Sequence, residues 1–300
     1  MTTKEKYRSG FIGVVGRTNV GKSTLINTFA HAKVAITSRK PQTTRNTIRC
    51  IITEPEYQAV FVDTPGFHKP HNLLGKQLNK MIVATLADVD AVLFLVDGTH
   101  DLGLGEQYVM EHVRSVKTPV VVALNKMDKL ANREVEERLT AVRELGEFND
   151  VVPISARTGR NVDQLLDRLA ALLPEGPQLY PEDMLTDQPE KFIVGEYIRE
   201  KILELTRKEV PHSVAIVVEE MAERPGKDLI DIEAAIYVER DTQKGIIIGK
   251  GGAMLKEIGT RARHDIEAML GVKVNLRLWV GVEKDWRTRE SAIHRLTAEE

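Results

Sequence analysis

The sequence predicts two unlike domains in one chain: an α/β domain on a mostly parallel sheet with helices on both faces, then a smaller α+β domain. Three observations carry this. Through the first half, short apolar runs rich in β-branched residues alternate with helix-like stretches, the pattern of strands buried on both faces and joined by crossover helices. A cluster of breakers, Pro174, Gly176, Pro177, Pro181 and Pro189, then interrupts all periodicity and marks a linker. Beyond it the order becomes helix, strand, strand, glycine cluster, helix, strand. The expected boundaries are 1–176, a linker over 177–189, and 190–300.

In the first domain the apolar runs place strands at 11–15, 59–62, 91–96, 120–124 and 151–154, with an additional edge strand at 50–53. Helices fall at 22–30, 73–87, 106–116, 133–145 and 162–173. The second domain offers a helix at 191–208, strands at 213–219 and 230–240, and a helix at 253–270. Its last strand, 272–282, alternates cleanly, with Val272, Val274, Leu276, Leu278 and Val280 on one face, and a helix over 286–296 closes the chain.

The bulk properties exclude several classes. A chain of 300 residues can bury two cores, and 42% hydrophobic with 29% charged residues is neither disordered nor fibrous. The formal net charge of −2 gives no global sign of nucleic acid, so such a reading must rest on local features. The single cysteine, Cys50, rules out an intramolecular disulfide and fits a reducing cytosol. The first ten residues are polar and charged, which predicts no secretory signal. No apolar run approaches the ~18 residues of a membrane span. A cytoplasmic location is therefore expected, with peripheral membrane contact left open.

Gly16-Arg17-Thr18-Asn19-Val20-Gly21-Lys22-Ser23 fits G-x-x-x-x-G-K-[ST], after one expected strand and at the start of a helix. That context is what a phosphate-binding loop needs. Its backbone N–H groups and the helix N-terminus supply positive potential, Lys22 reaches the β and γ phosphates, and Ser23 ligates Mg²⁺. Asp63-Thr64-Pro65-Gly66 ends the strand at 59–62. Asp63 is placed to hold Mg²⁺ through water, and Gly66 to offer its N–H to the γ phosphate and move when it leaves. Alone, D-x-x-G is a common turn; about forty residues after a phosphate loop it is a sensor.

Asn125-Lys126-Met127-Asp128 fits N-K-x-D at another strand end. One edge of guanine carries two donors that a single carboxylate accepts together, which assigns base reading to Asp128; adenine leaves that carboxylate unpaired. Lys126 covers the ring with its aliphatic stem, and Asn125 ties the segment to the phosphate loop. Ser155-Ala156, after the strand at 151–154, presents a backbone N–H to the guanine O6. All these loops lie at the carboxyl ends of parallel strands, where α/β sheets bind ligands.

A threonine that ligates Mg²⁺ only beside a γ phosphate is expected in the polar loop 38–46. Thr44 is favoured over Thr43. Lys22, Thr44 and Gly66 are the candidates for the hydrolytic step. Phe67 follows Gly66 where Ras-like proteins place a water-orienting glutamine, so slow intrinsic hydrolysis is expected.

In the second domain, Ile247-Ile248-Gly249-Lys250-Gly251-Gly252-Ala253-Met254-Leu255 fits the [V/I]-I-G-x-x-G-x-x-[I/L] pattern of a KH domain. The G-x-x-G turn joins two helices and clamps the backbone of about four nucleotides, which makes Ile248, Gly249, Lys250, Gly251 and Gly252 the RNA-binding candidates. The element order resembles the type II KH arrangement. From Arg240 to Arg263 there are six basic and two acidic residues, a local +4 in a near-neutral chain.

The combination closely resembles the Era family of bacterial GTPases, over essentially the whole chain. The resemblance is carried by residues 16–24, 42–46, 63–66, 125–128, 155–156 and 248–252, with Pro181-Glu182-Asp183 in the linker. It implies a P-loop GTPase domain followed by a type II KH domain. It extends the nucleotide-contacting run to Thr24. It implies GTP, GDP and Mg²⁺ as ligands, and small-subunit ribosomal RNA near the 3′ end of 16S rRNA and the pre-30S particle as partners. Action as a monomeric switch in 30S assembly, with loose association at the cytoplasmic membrane, belongs to the same implication. Asn19 matches a loop asparagine that helps related GTPases bind an activating K⁺. Thr18 departs from the family, which commonly has proline there. Two rivals stay open: a membrane-associated signalling GTPase whose second domain binds protein, opposed by the Gly249–Gly252 turn, and an ATP-using P-loop enzyme, opposed by Asn125 and Asp128.

Overall fold

The computed structural model describes residues 6–38, 40, 43–68, 70, 72–114, 116–207 and 209–297. Gln42, one of the residues carrying the resemblance, and Lys208, the expected end of a helix, lie outside them. The main division of the chain into two compact units falls between Asp187 and Gln188.

The first unit runs β1 (Arg8–Gly16), α1 (Lys22–Ala30), β2 (Ile48–Thr53), β3 (Tyr57–Asp63), α2 (Leu73–Ala87), β4 (Ala91–Asp97), α3 (Leu104–Val113), β5 (Val120–Asn125), α4 (Asn132–Glu144), β6 (Asp150–Pro153) and α5 (Val162–Ala170). The sheet order is β2-β3-β1-β4-β5-β6. Every neighbouring pair is parallel except β2–β3, a hairpin that leaves β2 as the antiparallel edge. The strands are mostly apolar because both faces are covered: Ile12, Val14, Phe61, Leu93 and Leu95 have no exposed surface. Each such side chain contributes roughly 1.5–3 kcal/mol by leaving water. The register sets Val14 beside Asp63 and Asp97 beside Asn125, so the strands end together on one edge.

The expected linker is held against this sheet over much of its length. Gln58 has no exposed surface, and its amide accepts from the N–H groups of Leu179 (2.7 Å) and Tyr180 (2.9 Å) while donating to the Tyr180 carbonyl (3.0 Å). The Ile51 N–H on edge strand β2 donates to the Leu185 carbonyl at 2.9 Å. Arg49 pairs with Asp187 at 2.6 Å. Polar residues with little periodicity thus serve here to satisfy a sheet edge.

The second unit runs α6 (Glu190–Leu205), α7 (Val210–Ser213), β7 (Ala215–Glu223), β8 (Leu229–Val238), α8 (Asp241–Ile248), α9 (Ala253–Leu270), β9 (Lys273–Val282) and α10 (Glu290–Thr297). Its sheet is β7-β8-β9, antiparallel then parallel. The α6 and α9 helices pack on one face, burying Val194, Ile198, Ile258 and Ile266 with Ile232, Ile236 and Val274. Lys201 of α6 ties to Asp265 of α9 at 2.7 Å.

Several boundaries differ from the sequence reading. The strand expected at 213–219 begins at Ala215 because Val210–Ser213 makes one helical turn with Pro211 near its start. A full helix, α8, precedes the glycine turn, its first turn pinned by the Gln243 side chain, which accepts from the Glu239 and Arg240 N–H groups. The closing helix is broken: Trp286–Thr288 forms a 3₁₀ turn, Arg289 is extended, and α10 starts at Glu290. Burial explains the break, since Trp286 has no exposed surface and its Nε1 donates to the Ser213 carbonyl at 2.9 Å. Among the described residues no helix is long and apolar enough to cross a membrane.

Trp286→Ala removes the largest fully buried side chain and orphans the Ser213 carbonyl. It should destabilise the second unit by about 3–5 kcal/mol. Urea unfolding followed by circular dichroism checks this; a loss under about 1 kcal/mol would show that the C-terminal turn is not part of the core.

Candidate functional site

Four loops at the carboxyl ends of β1, β3, β5 and β6 build one polar edge of the first unit. Lys22, the first residue of α1, is buried and donates back to the carbonyls of Gly16 (3.4 Å) and Arg17 (3.2 Å). Burial pushes its ammonium down to about 8, with Asp63 partly opposing. A buried cation on a glycine-rich loop is held ready for an anion that restores its charged form.

Asp63 has no exposed surface. Burial raises its carboxyl above the usual range, against the pull of Lys22, Ser23 and Thr44. Ser23 Oγ donates to Asp63 Oδ2 at 2.9 Å, Thr44 Oγ1 donates to the same oxygen at 3.4 Å, and the two hydroxyls lie 3.0 Å apart. Asp63 Oδ1 has no hydrogen-bond partner among the described residues. Two hydroxyls and a carboxylate with one orphaned buried oxygen make an all-oxygen donor set, the kind a hard divalent cation takes. Thr43 is elsewhere: its hydroxyl donates to the Lys40 carbonyl at 2.8 Å. Of the two threonines, only Thr44 joins the cluster.

Thr64 Oγ1 donates to the Val14 carbonyl at 2.8 Å, fixing the start of the loop that follows β3. Pro65 continues it, and Gly66 then lies against the phosphate loop. A Cβ on Gly66 would sit 2.7 Å from the Thr18 Cα and 2.8 Å from its Cγ2, so no side chain fits. Thr18, which departs from the family pattern, is thus the residue that Gly66 packs on. Phe67 is buried in the core beneath, its N–H donating to the Gly16 carbonyl at 3.0 Å and its ring 4.9 Å from His112 and 5.9 Å from Tyr108 of α3. Phe67 packs, and supplies no group to orient water.

Asn125 joins the base-side loops. Its Nδ2 donates to the Val20 carbonyl at 2.8 Å and its Oδ1 accepts from the Ala156 N–H at 2.9 Å. Lys126 stands in the left-handed region at φ 70 and bonds the Asn19 carbonyl (2.9 Å) and Asp97 (2.5 Å). Asp128 is exposed, with one carboxylate oxygen accepting from Ser155 Oγ at 2.7 Å. The backbone N–H groups of Ser155 and Ala156 are both used within the protein, by the Arg160 carbonyl and by Asn125. The Ser155 hydroxyl in turn orients Asp128. Thr24, on the first turn of α1, gives its carbonyl to Thr28, whose hydroxyl also reaches the Ala156 carbonyl at 2.7 Å.

In the second unit α8 ends at Ile248. Gly249 follows at φ 71, ψ 177, then Gly251 at φ 59 and Gly252 at φ 81 before α9 starts at Ala253. A Cβ on Gly249 would meet the Met254 Cβ at 2.7 Å, so this glycine is required by both conformation and space. Around Gly251 and Gly252 the space is open, and Lys250 is exposed. Beside the turn runs a groove lined by Leu255, Lys256, Gly259, Arg263, Leu276 and Leu278. Two cations over an apolar floor suit a single strand, with phosphates on the rim and bases inside.

Comparison with known proteins assigns a family to each unit. Residues 11–126 match the family described as 50S ribosome-binding GTPase, and residues 209–287 match the KH domain family. The chain is 49% identical over 290 residues to GTPase Era of Alkaliphilus oremlandii, covering 97% of this chain and 98% of that protein. The chain belongs to the Era family. It is 50% identical to GTPase Era of Thermoanaerobacter sp. strain X514, over 97% of this chain and 96% of the relative. A crystal structure of Era with MgGDPNP and nucleotides 1506–1542 of 16S ribosomal RNA aligns with a TM-score of 0.95 at 37% identity, covering 97% of this chain and 99% of that one. Like the family, this chain is a GTPase with a P-loop domain and a KH domain.

Two residues at this Era-family site escaped the sequence reading. Asp97, at the end of β4, anchors Lys126 and Thr99; burial raises its carboxyl, but those bonds outweigh it and hold it below the usual range. Its signal was its place directly after an expected strand. Glu106 is 5% exposed, pairs with Arg17 of the phosphate loop at 2.9 Å, and caps the Gly103 N–H at 2.9 Å. Its signal was the third position of a helix that the sequence started two residues late.

Asp128→Asn should invert base preference, because xanthine has a carbonyl where guanine has its amino group. GTP affinity should fall by roughly 10²–10⁴-fold and XTP affinity rise; competition with labelled GDP measures both, and a variant still preferring GTP removes the assignment. Thr44→Ala should spare GDP binding while weakening binding of a non-hydrolysable GTP analogue about tenfold or more. Thr43→Ala serves as the control; equal damage from both variants, or equal damage to both nucleotides, argues against the assignment of Thr44.

Proposed function

We propose that this GTPase binds Mg²⁺-GTP at the edge just described, binds small-subunit ribosomal RNA through its KH groove, and acts as a switch in 30S subunit assembly, at the 3′ end of 16S rRNA. The observation that carries the reading is that one chain holds both a complete oxygen-donor cluster at a phosphate loop and an open G-x-x-G turn beside a cationic groove. The RNA class comes from the relative that holds nucleotides 1506–1542 of 16S ribosomal RNA. It favours the small subunit over the 50S particle that the broader family description names.

In this proposal Ser23, Thr44 and Asp63 would hold Mg²⁺, which would supply positive charge against the transferred phosphate. Lys22 gains phosphate oxygens in place of the two loop carbonyls. Thr44 reports the γ phosphate, and the Gly66 loop, packed on Thr18, moves with it. Asp128, oriented by Ser155, reads the base, and Asn125 keeps the base loops and phosphate loop in register. With Phe67 in the core, intrinsic hydrolysis is slow. K⁺ beside Asn19, which holds the left-handed conformation at φ 63, is proposed as the activating cation. The protein acts as a cytoplasmic monomer with peripheral contact at the inner membrane face.

Replacing Lys250 and Gly251 by Asp tests the RNA half. Asp tolerates the left-handed conformation of Gly251, so the turn survives while two carboxylates meet the phosphate backbone. RNA affinity should fall roughly a hundredfold or more, with nucleotide binding and hydrolysis unchanged. Wild-type binding should weaken with salt at a slope of about −0.7 per neutralised phosphate. Filter binding of a single-stranded 16S 3′ fragment over a salt series reads both. Unchanged affinity in a folded double variant would falsify the KH mechanism.

A further inference from the structure

The sheet of the second unit has a second face, on the side of the strands away from α6 and α9. In-register neighbours place Val217, Ala235 and Trp279 in one row across it, and Tyr237 and Gly281 in the next. Trp279 is 42% exposed, with its ring edge-on to Tyr237 at 5.4 Å. Gly281 makes room for the pair: a Cβ there would meet Trp279 at 2.9 Å and Tyr237 at 3.0 Å.

The flank of this aromatic pair is acidic. The ladder between β7 and β8 slips between Val218 and Glu220, a bulge. The bulge turns two consecutive carboxylates to the same side. Glu219 accepts from Trp279 Nε1 at 3.1 Å, and Glu220 stands opposite Glu233. Arg277 pairs with Glu233 at 2.9 Å, but among the described residues neither Glu219 nor Glu220 has an ion-pair partner. Like charges opposed across a ladder are unfavourable in the isolated fold, and bulges recur where a side chain must be re-aimed. The chain itself places cations on this surface: besides Arg277, held by Glu233, the Arg295 guanidinium lies 5.8 Å from the centre of the Tyr237 ring.

We propose that this face is a docking surface for a cationic protein segment, whose lysine or arginine stacks on Trp279 and pairs with Glu219 and Glu220. Charge complementarity selects the occupant. An exposed indole beside unneutralised carboxylates attracts a cation on both counts, and the same carboxylates repel a phosphate backbone. The basic groove, formed by the opposite side of β9 with α9, has the reverse sign. RNA and a basic protein segment can then occupy the KH unit together. The competing explanation is that the glutamates merely guard an edge strand against pairing.

The test uses the full-length protein and a short fluorescein-labelled peptide of alternating arginine and glycine, with anisotropy read over a salt series. Saturable binding at low salt is expected. It should weaken about tenfold in the double variant Glu219→Gln, Glu220→Gln and similarly in Trp279→Ala, with Trp279→Tyr retaining part of it. Replacement of Lys250 and Gly251 by Asp should leave peptide binding unchanged, and the glutamine variant should bind the 16S fragment as wild type does. The glutamine pair keeps both side-chain shapes, so it stays informative even if Trp279→Ala fails to fold. Absence of binding, equal binding by wild type and the glutamine variant, or RNA affinity falling in parallel with peptide affinity overturns the proposal.

Discussion

A carboxylate with no exposed surface stands where β3 ends, and the arrangement of the first unit follows from it. Asp63 is held beside Val14 by the parallel pairing of β3 with β1, so the strand register fixes its position before any side chain is considered. Two hydroxyls approach one oxygen, and the other oxygen has no partner among the described residues. Leaving a buried acceptor unsatisfied costs about 1–3 kcal/mol, which a fold keeps only where something else supplies the missing charge. The neighbouring Lys22, itself driven toward neutrality by burial, shows the same economy from the opposite sign. Both groups are costly alone, and the proposed Mg²⁺-GTP would relieve both.

The base-side loops are coupled to that centre through Asn125. Its amide spans from the Val20 carbonyl to the Ala156 N–H, and Lys126 spans from Asn19 to Asp97. Segments at four strand ends, those of β1, β4, β5 and β6, are thereby held as one piece, with Ser155 fixing Asp128 at its rim. On the other side, Arg17 and Glu106 tie the phosphate loop to α3, on which Phe67 also packs. A displacement of the Gly66 loop therefore has a direct mechanical route to α3, through side chains in contact rather than through the sheet.

The KH unit separates opposite charges by the pleat of its sheet. Leu276 and Leu278 face the cationic groove, whereas Arg277 and Trp279, one position out of phase, face the acidic aromatic surface. A period of two residues is enough to give one strand two chemically different partners.

The sequence by itself determined both folds, the phosphate loop, the base motif and the glycine turn, because each is a local string whose chemistry needs its members within a few residues. Helices α1, α2 and α9 carried their limits in the same way, through apolar periodicity, with Gly21 ahead of α1 and Gly252 and Gly271 on either side of α9. Tertiary structure decided what contact across the chain decides. It put the Thr44 hydroxyl, and not that of Thr43, beside Asp63. It gave the Ser155 and Ala156 N–H groups internal partners, seated the 177–187 segment on β2 and β3 through Gln58, and broke the last helix at Arg289 so that Trp286 could be buried. It also joined Asp97 to Lys126 and Glu106 to Arg17. Those pairs lie 29 and 89 residues apart, and no local pattern encodes them, because their energy exists only once the strands that carry them are side by side.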